Sequence, residues 1–194
     1  MNTLRYRIVN GITLYRLLSA PVLVAIAWQK NEELFKWLLA LSFLTDMVDG
    51  RMARWLKVTS HWGAALDSLA DDATVVAGLL GVILLKPAFF WSQLGFILPL
   101  LILLATQITM AIARYGKPSS FHTHLAKWAA LLQGLSLILL FFLPQPPWWL
   151  FYGAIVVTAL DLIEEIVLVI LLPHWKTDVK GIYWLYRSPL NHRV

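Results

Sequence analysis

Read for hydrophobic periodicity, the chain divides into six apolar runs: about Ile12–Trp28, Leu34–Val48, Gly63–Leu85, Phe89–Arg114, Phe121–Leu143 and Leu150–Leu172. Each approaches the ~20 residues that a helix needs to cross a bilayer. The interruptions carry turn chemistry, in Lys86-Pro87, in Arg114-Tyr-Gly116-Lys117-Pro118-Ser-Ser120 and in Pro144-Gln-Pro146-Pro147. Ser119 or Ser120 is placed to cap the fifth helix, and Pro99 to kink the fourth. Ahead of the first run, Met1–Asn10 mixes Leu4, Ile8 and Val9 with Arg5, Tyr6 and Arg7, which predicts a short helix lying on the membrane surface. The basic, aromatic tail from His174 to Val194 predicts another interfacial segment, touching anionic lipid headgroups. The expected fold is therefore an all-α integral membrane protein, with six transmembrane helices and a short amino-terminal interfacial helix in a single domain over residues 1–194.

Composition agrees and removes some functions. The 194 residues are 59% hydrophobic and 14% charged, with a mean hydropathy of +0.69, which excludes a soluble domain. There is no Cys, so thiol chemistry and disulfides are excluded. The net charge of +5 and pI near 9.6 would suit a nucleic-acid binder, but the placement of the charges argues otherwise. With six spans, thirteen of the 16 Lys and Arg fall on the side of both termini, and only Lys30, Lys36 and Lys86 on the other. That asymmetry marks the first side as cytoplasmic and leaves no need for nucleic acid. Ala25-Ile-Ala27 after a basic start imitates a signal-peptidase site; the uncleaved reading is preferred because the remaining spans need this helix to pack against.

The chemistry concentrates in Asp46-Met-Val-Asp49-Gly50-Arg-Met-Ala53-Arg54, then eight residues, then Gly63-Ala-Ala-Leu-Asp67-Ser-Leu-Ala-Asp71. On helices, spacings of three and four put each aspartate pair on one face. Apolar sequence flanks both, so the charges must be neutralised. Protonation would make the acids useless as anionic ligands. Two divalent cations would match the charge, and an all-oxygen donor set suits Mg2+ or Mn2+. A paired-metal site of this kind acts on phosphates. Gly50 and Gly63 allow close approach to the backbone, and Arg54 offers a planar fork for phosphate. Asp72 lies about 100° round the helix from Asp71 and falls outside the set.

The pattern Asp-x2-Asp-Gly-x2-Ala-Arg-x8-Gly-x3-Asp-x3-Asp, complete here over 26 residues, resembles the signature of the CDP-alcohol phosphatidyltransferases, membrane enzymes of phospholipid synthesis. Asn10-Gly-Ile-Thr13-Leu-Tyr-Arg16, followed by Pro21, is similar to that family's amino-terminal pattern, with Val9 where many relatives have Pro. The resemblance implies transfer of a phosphatidyl group from CDP-diacylglycerol to a small polar alcohol, with release of CMP, in the cell (inner) membrane at its cytoplasmic side. It further implies that Asp46, Asp49, Asp67 and Asp71 hold the two cations and that Asp71 is also the catalytic base. Gly50, Ala53, Arg54 and Gly63, with Thr13 and Ser60, would bind the CDP-lipid.

The acceptor is read from charge. Arg114 and Lys127 flank the fourth-to-fifth connection, and relatives with phosphorylated acceptors carry basic residues there. This favours glycerol 3-phosphate, although Thr106 and Asp72 stand where those relatives are basic. Inositol phosphate, phosphatidylglycerol, serine and choline-type acceptors are the alternatives. His122 and His124, two apart, point about 200° from each other on a helix and read as interfacial residues, not a metal pair. Asp161, Glu164 and Glu165 lie deep in the sixth run, where acids face protein or water. They could pair with a neighbouring helix, line a cavity or sit at a homodimer contact. They are also the best support for a divalent-ion transporter, the reading from another class.

Overall fold

The computed structural model describes residues 3–56, 61–119, 121, 123–176 and 179–187. Among these the structure is all helical. Six long helices run in sequence: α1 (Thr3–Trp28), α2 (Glu32–Leu56), α3 (His61–Leu85), α4 (Pro87–Tyr115), α5 (His124–Phe142) and α6 (Trp148–Leu171). The six-residue α7 (Ile182–Arg187) follows. At a rise of about 1.5 Å per residue, even the shortest long helix, the 19-residue α5, matches a hydrocarbon core of about 30 Å. α4 and α5 are each apolar enough to cross a bilayer by composition alone. Trp91, Phe96, Ile102, Ile112 and Trp128 stand exposed on them. Large apolar side chains in the open suit a lipid solvent and would be a liability in water.

Two expectations need correction. The amino-terminal surface helix is no separate element: α1 is continuous from Thr3 through Gly11 and Pro21 to Trp28. No breaker separates the two parts, and one Gly costs a helix only about 1 kcal/mol. The cap of α5 is not Ser119. Ser120 lies outside the described residues, and Ser119 is bonded by the amide of Gln107. The helix starts later, at His124, and Thr123 caps it, its hydroxyl accepting the Ala126 N–H at 2.8 Å.

The chain forms two compact units, residues 1–92 with 137–144, and residues 93–136 with 145–194. In the first, α1 packs most extensively on α3 and next on α2, while α2 and α3 touch each other less. Its core holds Leu23, Ala27, Phe35, Leu39, Ala77, Val82 and Phe141, all buried. Lys30, at φ +60, turns the chain from α1 into α2, and Asn31 Oδ1 caps α2 by accepting the Leu34 N–H at 3.1 Å. Glu32 and Glu33 in that first turn suit the positive end of the helix dipole. They pair with Lys86 and Lys36, each at 2.6 Å. The amide end of this core is thus closed by its own ions.

In the second unit, Ala111, Phe121, Leu168, Val169, Leu172 and Val179 form the core. Around it the polar groups of α4, α5 and α7 converge on α6.

Gly81 is the tightest point of the first unit. A Cβ there would lie 2.0 Å from Phe35 Cζ, and the Phe35 ring is fully buried with its centroid 4.9 Å from that of Phe141. Gly81→Ala should therefore destabilise the protein by about 1–3 kcal/mol despite Ala being the better helix former. Gly78→Ala, where the nearest atom is a Leu137 methyl at 3.2 Å, should cost less. Thermal unfolding in detergent would separate the two, and equal melting temperatures would contradict the account.

Candidate functional site

The buried stripes of the first unit lead to the signature residues. On α2, Phe35, Leu39 and Ser42 are each fully buried, at spacings of four and three. Continuing that spacing reaches Asp46 and Asp49. On α3, Ala70, Thr74 and Ala77 are buried, and the same stripe read toward the amino end passes through Asp71 and Asp67. On α1, Leu23, Ala20, Ser19 and Arg16 are buried, and Thr13 is the next position.

The level at which these stripes meet is set by described contacts. Gly81 of α3 faces Phe35 of α2, and Gly78 faces Leu39, whose Cδ1 would lie 3.7 Å from a Cβ there. The two helices are antiparallel neighbours, so this register carried along them sets position 46 level with 71 and position 49 level with 67. Between α1 and α2 the Ser19 and Ser42 hydroxyls share a hydrogen bond at 3.1 Å. Ser19 also bonds Arg16 O at 2.7 Å, and Ser42 bonds Leu38 O at 2.9 Å. Thr74 Oγ1 returns to Ala70 O at 2.8 Å. These hydroxyls mark where an apolar core becomes polar, and Asp46 and Asp49 follow Ser42 by about 6 and 10 Å along α2. The side chains of Thr13, Asp46, Asp49, Gly50, Ala53, Arg54, Gly63, Asp67 and Asp71 lie outside the described residues, as does Ser60 altogether.

Both aspartate pairs stand on helical backbone, in α2 and α3. A family model for CDP-alcohol phosphatidyltransferases matches residues 6–160.

The chain is a member of the CDP-alcohol phosphatidyltransferase family.

Three relatives carry the name CDP-diacylglycerol--glycerol-3-phosphate 3-phosphatidyltransferase. That of Cereibacter sphaeroides is 31% identical over 71% of this chain and 64% of its own length. That of Wigglesworthia glossinidia brevipalpis is 31% identical over 57% of this chain and 60% of its own. That of Haemophilus influenzae is 30% identical over 57% and 59%. The chain thus spans less than two thirds of the length of these relatives. No solved structure matches it significantly. Family membership and the two apolar helices together indicate membrane association.

The acceptor candidates sit in the second unit, where this phosphatidyltransferase-family chain has a different polar design. Arg114, exposed at the end of α4, donates from Nε to Leu172 O at 3.2 Å. Tyr115 Oη lies 2.9 Å from the same carbonyl. A cation at the carboxyl end of α6 also favours its dipole. Lys127 is exposed in the first turn of α5, where the dipole disfavours a cation. Neither side chain has an anionic partner among the described residues. Thr106 faces outward with its hydroxyl on Ile102 O, and it is the adjacent Gln107 that is buried.

The α6 acids, open in the sequence, each bind a neutral donor. Asp161 Oδ1 accepts from Thr123 Oγ1 at 2.9 Å, Glu164 Oε1 from the Ile182 N–H at 2.9 Å, and Glu165 Oε2 from Gln107 Nε2 at 2.7 Å. They tie α5, α7 and α4 to α6, which is a structural use. Sequence reading missed Gln107 and Thr123 because a lone amide or hydroxyl in an apolar run carries no motif. His124 is exposed, with its ring 6.3 Å from that of Trp184, and His122 lies outside the described residues.

Thr123 therefore has two duties, capping α5 and bonding Asp161. Thr123→Val, which keeps the shape and removes both bonds, should lower stability by about 2 kcal/mol or more, whereas Thr123→Ser should cost little. Melting temperatures of the two variants in detergent would test this; a Val variant as stable as the wild type would refute it.

Proposed function

We propose that the protein transfers the phosphatidyl group of CDP-diacylglycerol to glycerol 3-phosphate and releases CMP. The observation that carries the reading is the complete aspartate signature, carried on the helices α2 and α3 of a chain of this family. The acceptor is taken from the names of the three relatives and from Arg114 and Lys127. The long helices α1 to α6 would be the six spans of one membrane domain, with the aspartates at the cytoplasmic side of the cell membrane.

The donor set fits the implied cofactor. Four carboxylates are hard oxygen ligands, suited to two Mg2+ or Mn2+ ions. When bound, these ions would neutralise the pyrophosphate and the departing CMP. The residues of the chain do the rest. Asp46, Asp49, Asp67 and Asp71 hold the cations, Gly50 and Gly63 leave backbone room for the nucleotide, and Arg54 binds phosphate oxygens in pairs. Thr13, Ala53 and Ser60 complete the CDP-lipid contacts. Asp71 takes the proton of the acceptor hydroxyl as its oxygen bonds to the phosphatidyl phosphorus and the bond to CMP breaks. Arg114 and Lys127 bind the acceptor phosphate. The hydrogen-bonded state of the α6 acids supports this enzyme reading over an ion carrier.

Asp46→Asn, Asp49→Asn, Asp67→Asn and Asp71→Asn should each lower CMP release from CDP-diacylglycerol by about 100-fold or more in a protein that still purifies folded. EDTA should do the same, reversed by Mg2+ or Mn2+. Full turnover in any one variant would remove that aspartate from the mechanism.

A panel of acceptors tests the rest. Lys127→Ala and Arg114→Ala should raise KM for glycerol 3-phosphate about tenfold, equivalent to about 1.4 kcal/mol, with little change in KM for CDP-diacylglycerol. Turnover of serine or inositol but not glycerol 3-phosphate by the wild type would overturn the acceptor.

A further inference from the structure

Among the described residues Arg16 is the largest side chain buried almost completely, at 1% exposure, and it lies in the interior of a helix, not at its end. A guanidinium cannot lose its charge, so burial is tolerable only where negative charge lies close. The bland reading, an arginine reaching for the membrane surface, fails on that exposure.

The acids of the first unit leave few candidates. Glu32 and Glu33 stand at the opposite end of α2, paired with Lys86 and Lys36. Measured from position 45 of α2, which the Ser19–Ser42 contact sets level with Arg16, Glu32 is about 20 Å away. The remaining acids are Asp46, Asp49, Asp67, Asp71 and Asp72. The helix register sets Asp46 and Asp71 at the level of Arg16, one turn beyond the Ser19–Ser42 pair.

We infer that Arg16 is the internal counter-ion of the aspartate cluster, a buried guanidinium at the level of Asp46 and Asp71 that offsets their charge when no cation is bound. It is a positioning residue and not a group that touches the lipid. The inference rests on the proposed metal-binding role of the aspartates. Its consequence has a definite sign. A divalent ion entering the cluster meets a fixed positive charge already there, so removing that charge must tighten binding of the ion while weakening the protein without it. A guanidinium that only filled space would change neither in that direction.

The test is Mn2+ binding to the purified full chain in detergent, followed by the loss of the free-ion electron paramagnetic resonance signal, with melting temperatures taken with and without Mn2+. Arg16→Met should bind Mn2+ about tenfold more tightly or better, melt lower than the wild type without metal, and gain more from Mn2+. Arg16→Lys, which keeps the charge, should bind as the wild type does. Binding in Arg16→Met that is unchanged or weaker would overturn the inference. If Arg16→Met does not purify, adding Asp46→Asn or Asp71→Asn should restore a folded protein, and rescue by neither would also overturn it. Absence of Mn2+ binding in the wild type would instead sink the metal reading on which the inference stands.

Discussion

The Phe35 ring lodged against Gly81 is the constraint on which the other end of the first unit depends. A buried ring opposite a residue without a Cβ gives α2 and α3 a preferred register. The aspartates lie three to four turns away, and a helix transmits register rigidly over that distance. A slip of one residue would turn a stripe by about 100° relative to its partner helix. The buried positions Ala70, Thr74 and Ala77 of α3 are small, and α1 packs most extensively on that helix; small residues let helices approach closely in lipid, where no hydrophobic effect drives them together. The register of α2 against α3 is thus set by an apolar contact at the far end of both helices from the aspartate signature.

The second unit holds its helices by another means. Its apolar core is small, and carboxylates on α6 accept from an amide, a hydroxyl and a backbone N–H on three other segments. Gly181, at φ +135, lets the chain turn against Glu164, whose Oε1 would lie 2.8 Å from a Cβ at that position. Trp175 closes the same region by donating to Pro118 O at 3.0 Å, with Lys117 Nζ 3.4 Å from its ring centre. Directional bonds such as these specify one arrangement where apolar surface facing lipid specifies none.

What could be read from the sequence follows from which signals are local. Hydrophobic runs located all six long helices, because length and polarity alone decide them. Their ends moved: α2 continues beyond Val48 to Leu56, since polar residues at a membrane surface need not end a helix, and α5 begins at His124, capped by Thr123, because a cap is decided by which hydroxyl meets a free N–H. The aspartates were legible as helical positions, and both pairs lie on the helical backbone of α2 and α3. Their register across α2 and α3 was not, because that depends on Phe35 meeting Gly81, a contact between residues 46 apart in the chain. The partners of Asp161, Glu164 and Glu165 were hidden for the same reason.

Charge gives the proposed site its logic. Under this reading four aspartates face two arginines, Arg16 and Arg54, and the cluster without cations carries a net charge of about −2 in a region of low polarity, a state that is costly to keep. Two divalent ions alone overshoot to about +2. The pyrophosphate of a CDP-linked lipid, with two ionised oxygens, returns the total to neutral. Cations and nucleotide-lipid are then each more favourable in the presence of the other, which couples their binding through electrostatics without any conformational change. A phosphorylated acceptor brings a further two negative charges, and the cations for it must come from elsewhere in the chain. Arg114 and Lys127, exposed and without an anionic partner among the described residues, are cations of that kind. An uncharged acceptor would need neither.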